Sequence, residues 1–232
     1  MSGQNVLLLQ CESTDKVNVQ HASIGHLVIA GWTGRDPVAV EKHIRELEEI
    51  GVPRPKQTPI FYRVGASLLT TAEEIQVAGG DSSGEVEFVL FSLPDGLWVG
   101  VGSDHTDRKV ETMGVTIAKQ VCPKPVSSSV WRYTDVRPHW DQLLLRSYAY
   151  IDEQRRLYQE GPVTAMRHPD DLMRLYSGKN AALPVEHGMF CGTLAVKGGI
   201  EPADVFTLEL EDPVLGRKIT HSYKTIQLPV EG

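Results

Sequence analysis

Cysteine is scarce, long apolar runs are missing, and acidic residues outnumber basic ones; each shortage removes a class of protein. The 3 cysteines among 232 residues, Cys11, Cys122 and Cys191, lie far apart. Without a CxxC pair they form neither a disulfide framework nor a thiolate metal site, which fits a reducing compartment. The apolar run at the N-terminus, Val6-Leu7-Leu8-Leu9, is too short for a signal peptide or a membrane span. The expectation is a cytoplasmic protein with no membrane partner. A net charge of -7 and the lack of a basic stripe argue against a nucleic-acid partner, whose phosphates must be neutralised by Lys and Arg. What remains is ordinary for a soluble enzyme: 41% hydrophobic and 23% charged residues. No linker, repeat or low-complexity segment divides the chain, so one domain over residues 1–232 is expected.

The strongest pattern is the stretch Gly84–Asp104. Val, Phe, Leu and Trp on both sides of Pro94-Asp95-Gly96 predict two strands joined by a turn. Side chains alternate faces along a strand, so Glu85 and Glu87 share one face and Val86 and Phe88 the other. Symmetric folding about Pro94 sets Glu85 opposite Ser103, with Asp104 next door. Three carboxylates then crowd one patch, where they repel unless a cation sits among them. All-oxygen ligation suits a hard ion such as magnesium, manganese or calcium. The plainer alternative is an exposed hairpin whose glutamates face water.

Around this hairpin the chain reads as strands with few helices. Strands are predicted over residues 5–10, 24–31, 59–64, 68–70, 74–77, 188–194, 205–210 and 219–226, and at Leu143-Leu144-Leu145. Asp36 before Pro37, and Gly51 beyond, predict a helix over 37–50 with Val40, Ile44, Leu47 and Ile50 on one stripe. His43 falls in that stripe with Glu46 three residues on, where a carboxylate can orient an imidazole base; a histidine on an apolar face is as readily a core residue. Asp104 to Glu111 is too charged for a core, and its His105 lacks a second His or a Cys for a closed zinc site. Lys119, among small and apolar residues, either aims its charge at an anion or covers apolar surface with its stem. Residues 124–129 read as a polar loop, 151–153 as a turn with a helix through Leu157 as the alternative, and 169–178 as a short helix. Without βαβ alternation the class is α+β, mainly β.

Taken in order, these pieces resemble the fumarylacetoacetate hydrolase superfamily over roughly residues 25–226. That family carries a Glu-x-Glu strand followed by an Asp heading a D-x-[TS]-x-R turn, matched by Glu85-Val86-Glu87 and Asp104-His105-Thr106-Asp107-Arg108. Its upstream His-x-x-Glu pair is matched by His43-Ile44-Arg45-Glu46, and its lysine before a Cys-Pro segment by Lys119-Gln120-Val121-Cys122-Pro123. Its T-G-T-P turn is represented by Cys191-Gly192-Thr193-Leu194, and its P-G-D and N-Y-x-x-H segments are altered. The resemblance is to an uncharacterised bacterial branch.

The resemblance implies a mixed β-sandwich or roll with a few short helices. Residues 1–55 would supply N-terminal strands and a lid-like helix, and residues 56–232 a metal-binding β-roll. It implies Mg2+ or Mn2+, with Ca2+ admitted, on Glu85, Glu87 and Asp104. His43, oriented by Glu46, would be the general base, Lys119 would face the developing enolate, and Gly192 with Thr193 would bind a substrate carboxylate. Arg108 would support the turn. The implied activity is hydrolytic C–C cleavage of an acylpyruvate-like or dioxo carboxylic acid by a homodimer. Decarboxylation, tautomerisation or hydration of a 2-oxo acid through a metal-bound enolate uses the same groups. A metal-binding protein without catalysis is the third reading.

Overall fold

The structure, a computed structural model, describes residues 5–49, 54–178 and 181–231, the side chains of residues 43, 46 and 47 excepted. The chain opens with β1 (Asn5–Glu12), β2 (Val17–Ile24), β3 (His26–Gly31) and α1 (Pro37–Glu49). It continues through β4 (Ile60–Val64), β5 (Leu69–Thr70), β6 (Glu74–Ala78) and β7 (Ser82–Ser83) to the hairpin β8 (Val86–Leu93) and β9 (Gly96–Ser103). Next come β10 (Thr106–Asp107), α2 (Arg108–Glu111), α3 (Val115–Gln120), β11 (Lys124–Pro125), β12 (Ser129–Arg132) and α4 (Tyr133–Val136). The last part holds β13 (Leu144–Ile151), β14 (Gln154–Pro162), α5 (Pro169–Ser177), β15 (His187–Thr193), β16 (Val205–Asp212) and β17 (Arg217–Leu228). This is the strand-rich α+β class with few short helices. No helix among the described residues is long and apolar enough to cross a membrane.

Eight strands form one sheet in the order β2-β1-β12-β9-β8-β15-β3-β4, and five form another in the order β14-β13-β16-β17-β6. Only Gly25 separates β2 from β3, although they stand near opposite ends of the larger sheet. One residue spans less than about 4 Å, so the sheet must curl to bring its two ends together. Strand alternation then makes two cores. Leu7 and Leu9 of β1, Leu27 and Ile29 of β3, Val89 and Phe91 of β8 and Phe190 of β15 pack inside the curl. Their neighbours Val28, Ala30, Val86, Phe88, Val99 and Met189 pack outward with Leu145, Phe206, Leu208 and Tyr223 of the second sheet. The hairpin is therefore central: every residue of β8 is buried. That excludes the exposed-hairpin alternative, since neither face of β8 meets solvent.

Several boundaries differ from the sequence expectation. The hairpin closes at Leu93 and Gly96 on the two-residue turn Pro94-Asp95, pairing Val86 with Ser103. Glu85 therefore lies beside Asp104, whose N–H donates to the Glu85 carbonyl at 3.0 Å, one residue away from the expected Ser103. β2 was not expected; Val17, Val19 and His21 on its outer face are exposed, so its pattern carries little apolar signal. Residues 154–157 extend strand β14 and not a helix, because they pair with β13 across the 151–154 turn. The 124–129 segment is no polar loop: Lys124, Val126 and Ser127 are buried, and β11 pairs with β5. The Gly51 helix stop lies outside the described residues; α1 starts as expected, Asp36 accepting the Val38 N–H at 2.8 Å.

Packing is tight where β9 crosses the inner core. A Cβ at Gly102 would come within 2.8 Å of Val126 and 2.9 Å of Phe190 and Val89. Gly102→Ala is expected to lower stability by about 1–3 kcal/mol through overpacking. Urea unfolding checks this; an unchanged midpoint would mean the inner core yields freely.

Candidate metal centre and active site

Glu85 and Glu87 leave the hairpin on the face of Val89 and Phe91, and Asp104 follows β9 directly. Their ligand oxygens all lie within 4.8 Å of one another. Glu87 is 2% and Asp104 0% exposed. Carboxylates that close and that buried need compensation, and three cations supply it. Arg108 Nη1 lies 3.0 Å from Glu85 Oε1. Lys119 Nζ donates to Asp104 Oδ2 and stands 3.6 Å from Glu85 Oε2. Lys124 Nζ, fully buried, is 3.3 Å from Asp104 Oδ1 and donates to the His105 carbonyl at 2.6 Å.

Each cation is delivered by its own local element. The β7–β10 pairing, with Arg108 N–H donating to the Asp81 carbonyl at 2.9 Å and Arg108 Nε to Ser83 Oγ at 2.7 Å, turns the guanidinium toward Glu85. Asp107 caps α2 by accepting the Val110 N–H at 2.8 Å. Lys119 sits in the last turn of α3, and Lys124 on β11. His105 is neither a base nor a ligand in this geometry: its ring is held between Tyr223 Oη at 3.0 Å and Ser82 Oγ at 2.9 Å. Burial, aided by Lys124 and Arg108, pulls its pKa down to about 3.

Glu87 differs from its neighbours. Its partner is the Gly192 N–H, which donates to Oε2 at 2.6 Å. The register of β15 against β8 shifts between Phe190 and Thr193, a bulge that points this N–H at the carboxylate. Gly192 has φ +101°, and a Cβ there would collide with the Thr33 hydroxyl. The Thr193 hydroxyl donates to the Val86 carbonyl at 2.8 Å and accepts from Gln159 Nε2 at 2.8 Å. Burial, then the charges of Asp104 and Glu85, hold the Glu87 carboxyl well above the usual carboxylate range. Burial alone would raise Asp104 too, but Lys119 and Lys124 bring it below its ordinary value. Burial opposes the charge on Lys119, yet Asp104 and Glu85 outweigh it and raise its pKa. For Lys124 burial wins and lowers the pKa, with Asp104 opposing.

Above the carboxylates opens a cavity of about 540 Å³. Glu85, Glu87 and Lys119 form part of its lining with Gly192 and Thr193, and Trp32, Arg35, Ala39, Val40, Tyr62 and Met166 line it elsewhere. The structure thus brings together Glu85, Glu87, Asp104, Lys119, Gly192 and Thr193. His43 and Glu46 lie on α1, and their side chains are outside the described residues. Sequence reasoning missed Lys124 and the cavity walls at Trp32 and Tyr62. A lysine between two prolines, Pro123-Lys124-Pro125, was the only local sign of the first. The donor set fits a hard divalent cation: three clustered carboxylates with their oxygens within 4.8 Å of one another, one of them, Glu87, with no cation of its own at ion-pair distance among the described residues.

Residues 30–223 match the model of a family described as protein of unknown function DUF2848. The chain belongs to the DUF2848 family. No curated protein matches the sequence. Among solved structures, a provisionally assigned fumarylpyruvate hydrolase from Burkholderia cenocepacia is 16% identical with TM-score 0.67, over 99% of this chain and 97% of that one. A provisionally assigned fumarylacetoacetate isomerase/hydrolase from Oleispira antarctica is 16% identical with TM-score 0.64, over 94% and 100%. A yeast fumarylacetoacetate hydrolase family protein is 17% identical with TM-score 0.63, over 90% and 95%. At these identities the likeness is one of fold: this DUF2848 chain has the fumarylacetoacetate hydrolase fold.

The raised pKa of Glu87 carries a sign. An unfolded Glu87 ionises in the ordinary range and the folded one only at higher pH, so the metal-free protein loses stability as pH rises from about 4.5 through the folded value. Glu87→Gln removes that loss. The metal-free variant is expected to melt above wild type at pH 7.5, the difference shrinking toward pH 4.5. Equal melting temperatures across that range, in chelator, would refute the burial argument.

Proposed function

We propose that this chain is a divalent-metal-dependent hydrolase that cleaves a carbon–carbon bond in an acylpyruvate-like or dioxo carboxylic acid. The observation that carries the proposal is the convergence of Glu85, Glu87, Asp104 and Lys119 beneath one large cavity. Glu85, Glu87 and Asp104 would hold magnesium or manganese, which when bound supplies Lewis acidity to a substrate carbonyl.

The chain's own groups do the rest. The Lys119 ammonium stands where the negative charge of an enolate would develop and lowers its energy. His43 is the proposed general base. Helix periodicity puts position 43 on the face of Ala39 and Val40, which line the cavity, and Glu46 follows at i+3 to orient the ring. A water gives its proton to His43 and attacks the far carbonyl; the C–C bond breaks toward the enolate, which then takes up a proton. Gly192 and Thr193 border the substrate space as the proposed carboxylate-binding residues, their donors being spent in the free protein on Glu87 Oε2 and the Val86 carbonyl. The reading includes a homodimer in the cytoplasm.

A second reading, isomerisation or another 2-oxo acid reaction through the same enolate, is favoured by one relative in fold that is described as isomerase and hydrolase together. Product analysis separates them: two carbon fragments mean hydrolysis, carbon dioxide decarboxylation, a single isomer tautomerisation.

Manganese is expected to raise the melting temperature, more so with oxalate, and to do neither in Glu87→Gln. His43→Ala should keep the manganese shift and lower kcat by about 10²–10⁴-fold, the range of a lost general base. No shift at millimolar metal would end the metal reading, and unchanged turnover in His43→Ala would end the base assignment.

A further inference from the structure

The chemistry just proposed uses the floor of the cavity, where Glu85, Glu87 and Lys119 meet; its walls are still without a role. Those walls are apolar. Trp32 comes from the segment after β3, Ala39 and Val40 from the first turn of α1, Val115 from the start of α3, and Met166 from the segment before α5. Ala39 is exposed and Trp32, Val40 and Val115 are half-buried, so these four side chains border open space. Trp32 also holds φ +57°, a backbone conformation that a bulky side chain rarely adopts and that clusters at ligand sites.

Main-chain bonds hold the walls in place. Arg35 N–H donates to the Ala165 carbonyl at 3.0 Å and Arg167 N–H to the Thr33 carbonyl at 2.7 Å, which fastens the 31–36 segment to residues 165–167. Met166 is 2% exposed and reaches the floor, since a Cβ at Gly192 would come within 3.2 Å of its Cγ. Wall and floor are thus one space of about 540 Å³, far more than the carboxylate end of a substrate fills.

The polar groups decide what fills the rest. Among the described residues of the lining, the cations are Lys119, which the enolate reading uses, and Arg35. The Arg35 guanidinium is engaged elsewhere: Nη1 donates to both Asp141 oxygens at 2.9 and 3.0 Å, and Nε to the Met166 carbonyl at 3.0 Å. Its Nη2 is closed to solvent and so is not presented to the cavity. Asp36 and Glu111, the charged groups left on the wall, are acids. A second carboxylate entering this space would give up its water and meet no free donor. A hydrocarbon chain gives up nothing polar and gains on the order of fourfold in affinity per buried methylene.

We propose that these walls form an acyl subsite for an uncharged hydrocarbon tail, so that the substrate is a 2-oxo monocarboxylate with an alkyl or aryl tail and not a dicarboxylate. The proposal rests on the 2-oxo acid reading above and adds the class of acyl group. Trp32, Ala39, Val40, Val115 and Met166 are its specificity-determining residues.

The test is calorimetric titration of the full chain, in millimolar Mn2+, with pyruvate, 2-oxohexanoate and 2-oxoadipate. The last carries a carboxylate where the second carries its terminal methyl. 2-Oxohexanoate is expected to bind at least tenfold more tightly than pyruvate, and 2-oxoadipate at least tenfold more weakly than 2-oxohexanoate. Ala39→Glu puts a charge on the wall at a first-turn position that suits an acid. It is expected to cut the affinity ratio of 2-oxohexanoate to pyruvate at least fivefold. Equal binding of pyruvate and 2-oxohexanoate, binding of 2-oxoadipate as tight as 2-oxohexanoate, or an unchanged ratio in folded Ala39→Glu would overturn the inference and leave the 2-oxo acid reading intact. No binding of any of the three would overturn both. Circular dichroism checks that the variant is folded; if it is not, the wild-type ranking decides alone.

Discussion

Holding three carboxylates, two of them buried, within 4.8 Å of one another is the constraint on which the rest of this structure depends. Two like charges 4 Å apart repel by about 4 kcal/mol even at an effective dielectric of 20. The triad can exist only if cations reach it from more than one side. Arg108 comes from the start of α2, Lys119 from the end of α3, and Lys124 from β11, three short elements that build little core. Their function in the fold is electrostatic, and their order along the chain, between β9 and β12, keeps them next to Asp104.

Rigidity comes from the hairpin. β8 lies between β9 and β15 and separates two hydrophobic cores, so Glu87 has no freedom to swing into solvent. The bulge in β15 uses the same confinement, turning one backbone N–H onto Glu87 where the ladder would otherwise have spent it on a strand neighbour. Gly192 is required there twice over, by its positive φ and by the Thr33 hydroxyl packed against it. The segment 31–36 at the cavity rim is thereby packed against the bulge whose N–H holds Glu87.

What was legible in the sequence was what local periodicity carries. Alternation placed Glu85 and Glu87 on one face, and the break at Pro94-Asp95 located the hairpin, missing the register by one residue because the turn has two residues and no central one. The helix start at Asp36-Pro37 and the helix at Pro169 were equally local. Lys124 was not legible, because what makes it a buried ammonium is Asp104, twenty positions earlier and on another element. β2 escaped because its outward face carries exposed residues on both apolar and polar positions, and the cavity walls because Trp32 and Tyr62 meet only through the β3–β4 pairing.

The three acids are not equivalent, and the difference bears on how a cation would enter. Glu85 has Arg108 and Asp104 has two lysines, while Glu87 has a neutral backbone donor as its hydrogen-bond partner. A buried carboxyl in that position carries its charge least willingly, and burial with the charges of Asp104 and Glu85 pushes its pKa up. In the free protein a proton on Glu87 satisfies the same electrostatic demand that a metal ion would. Ion and proton are thus competitors for one carboxylate, and a cation entering the centre has to displace the proton that keeps the empty site stable. At Glu85 and Asp104 the competitors are instead fixed cations, Arg108 and the two lysines, which already face their oxygens.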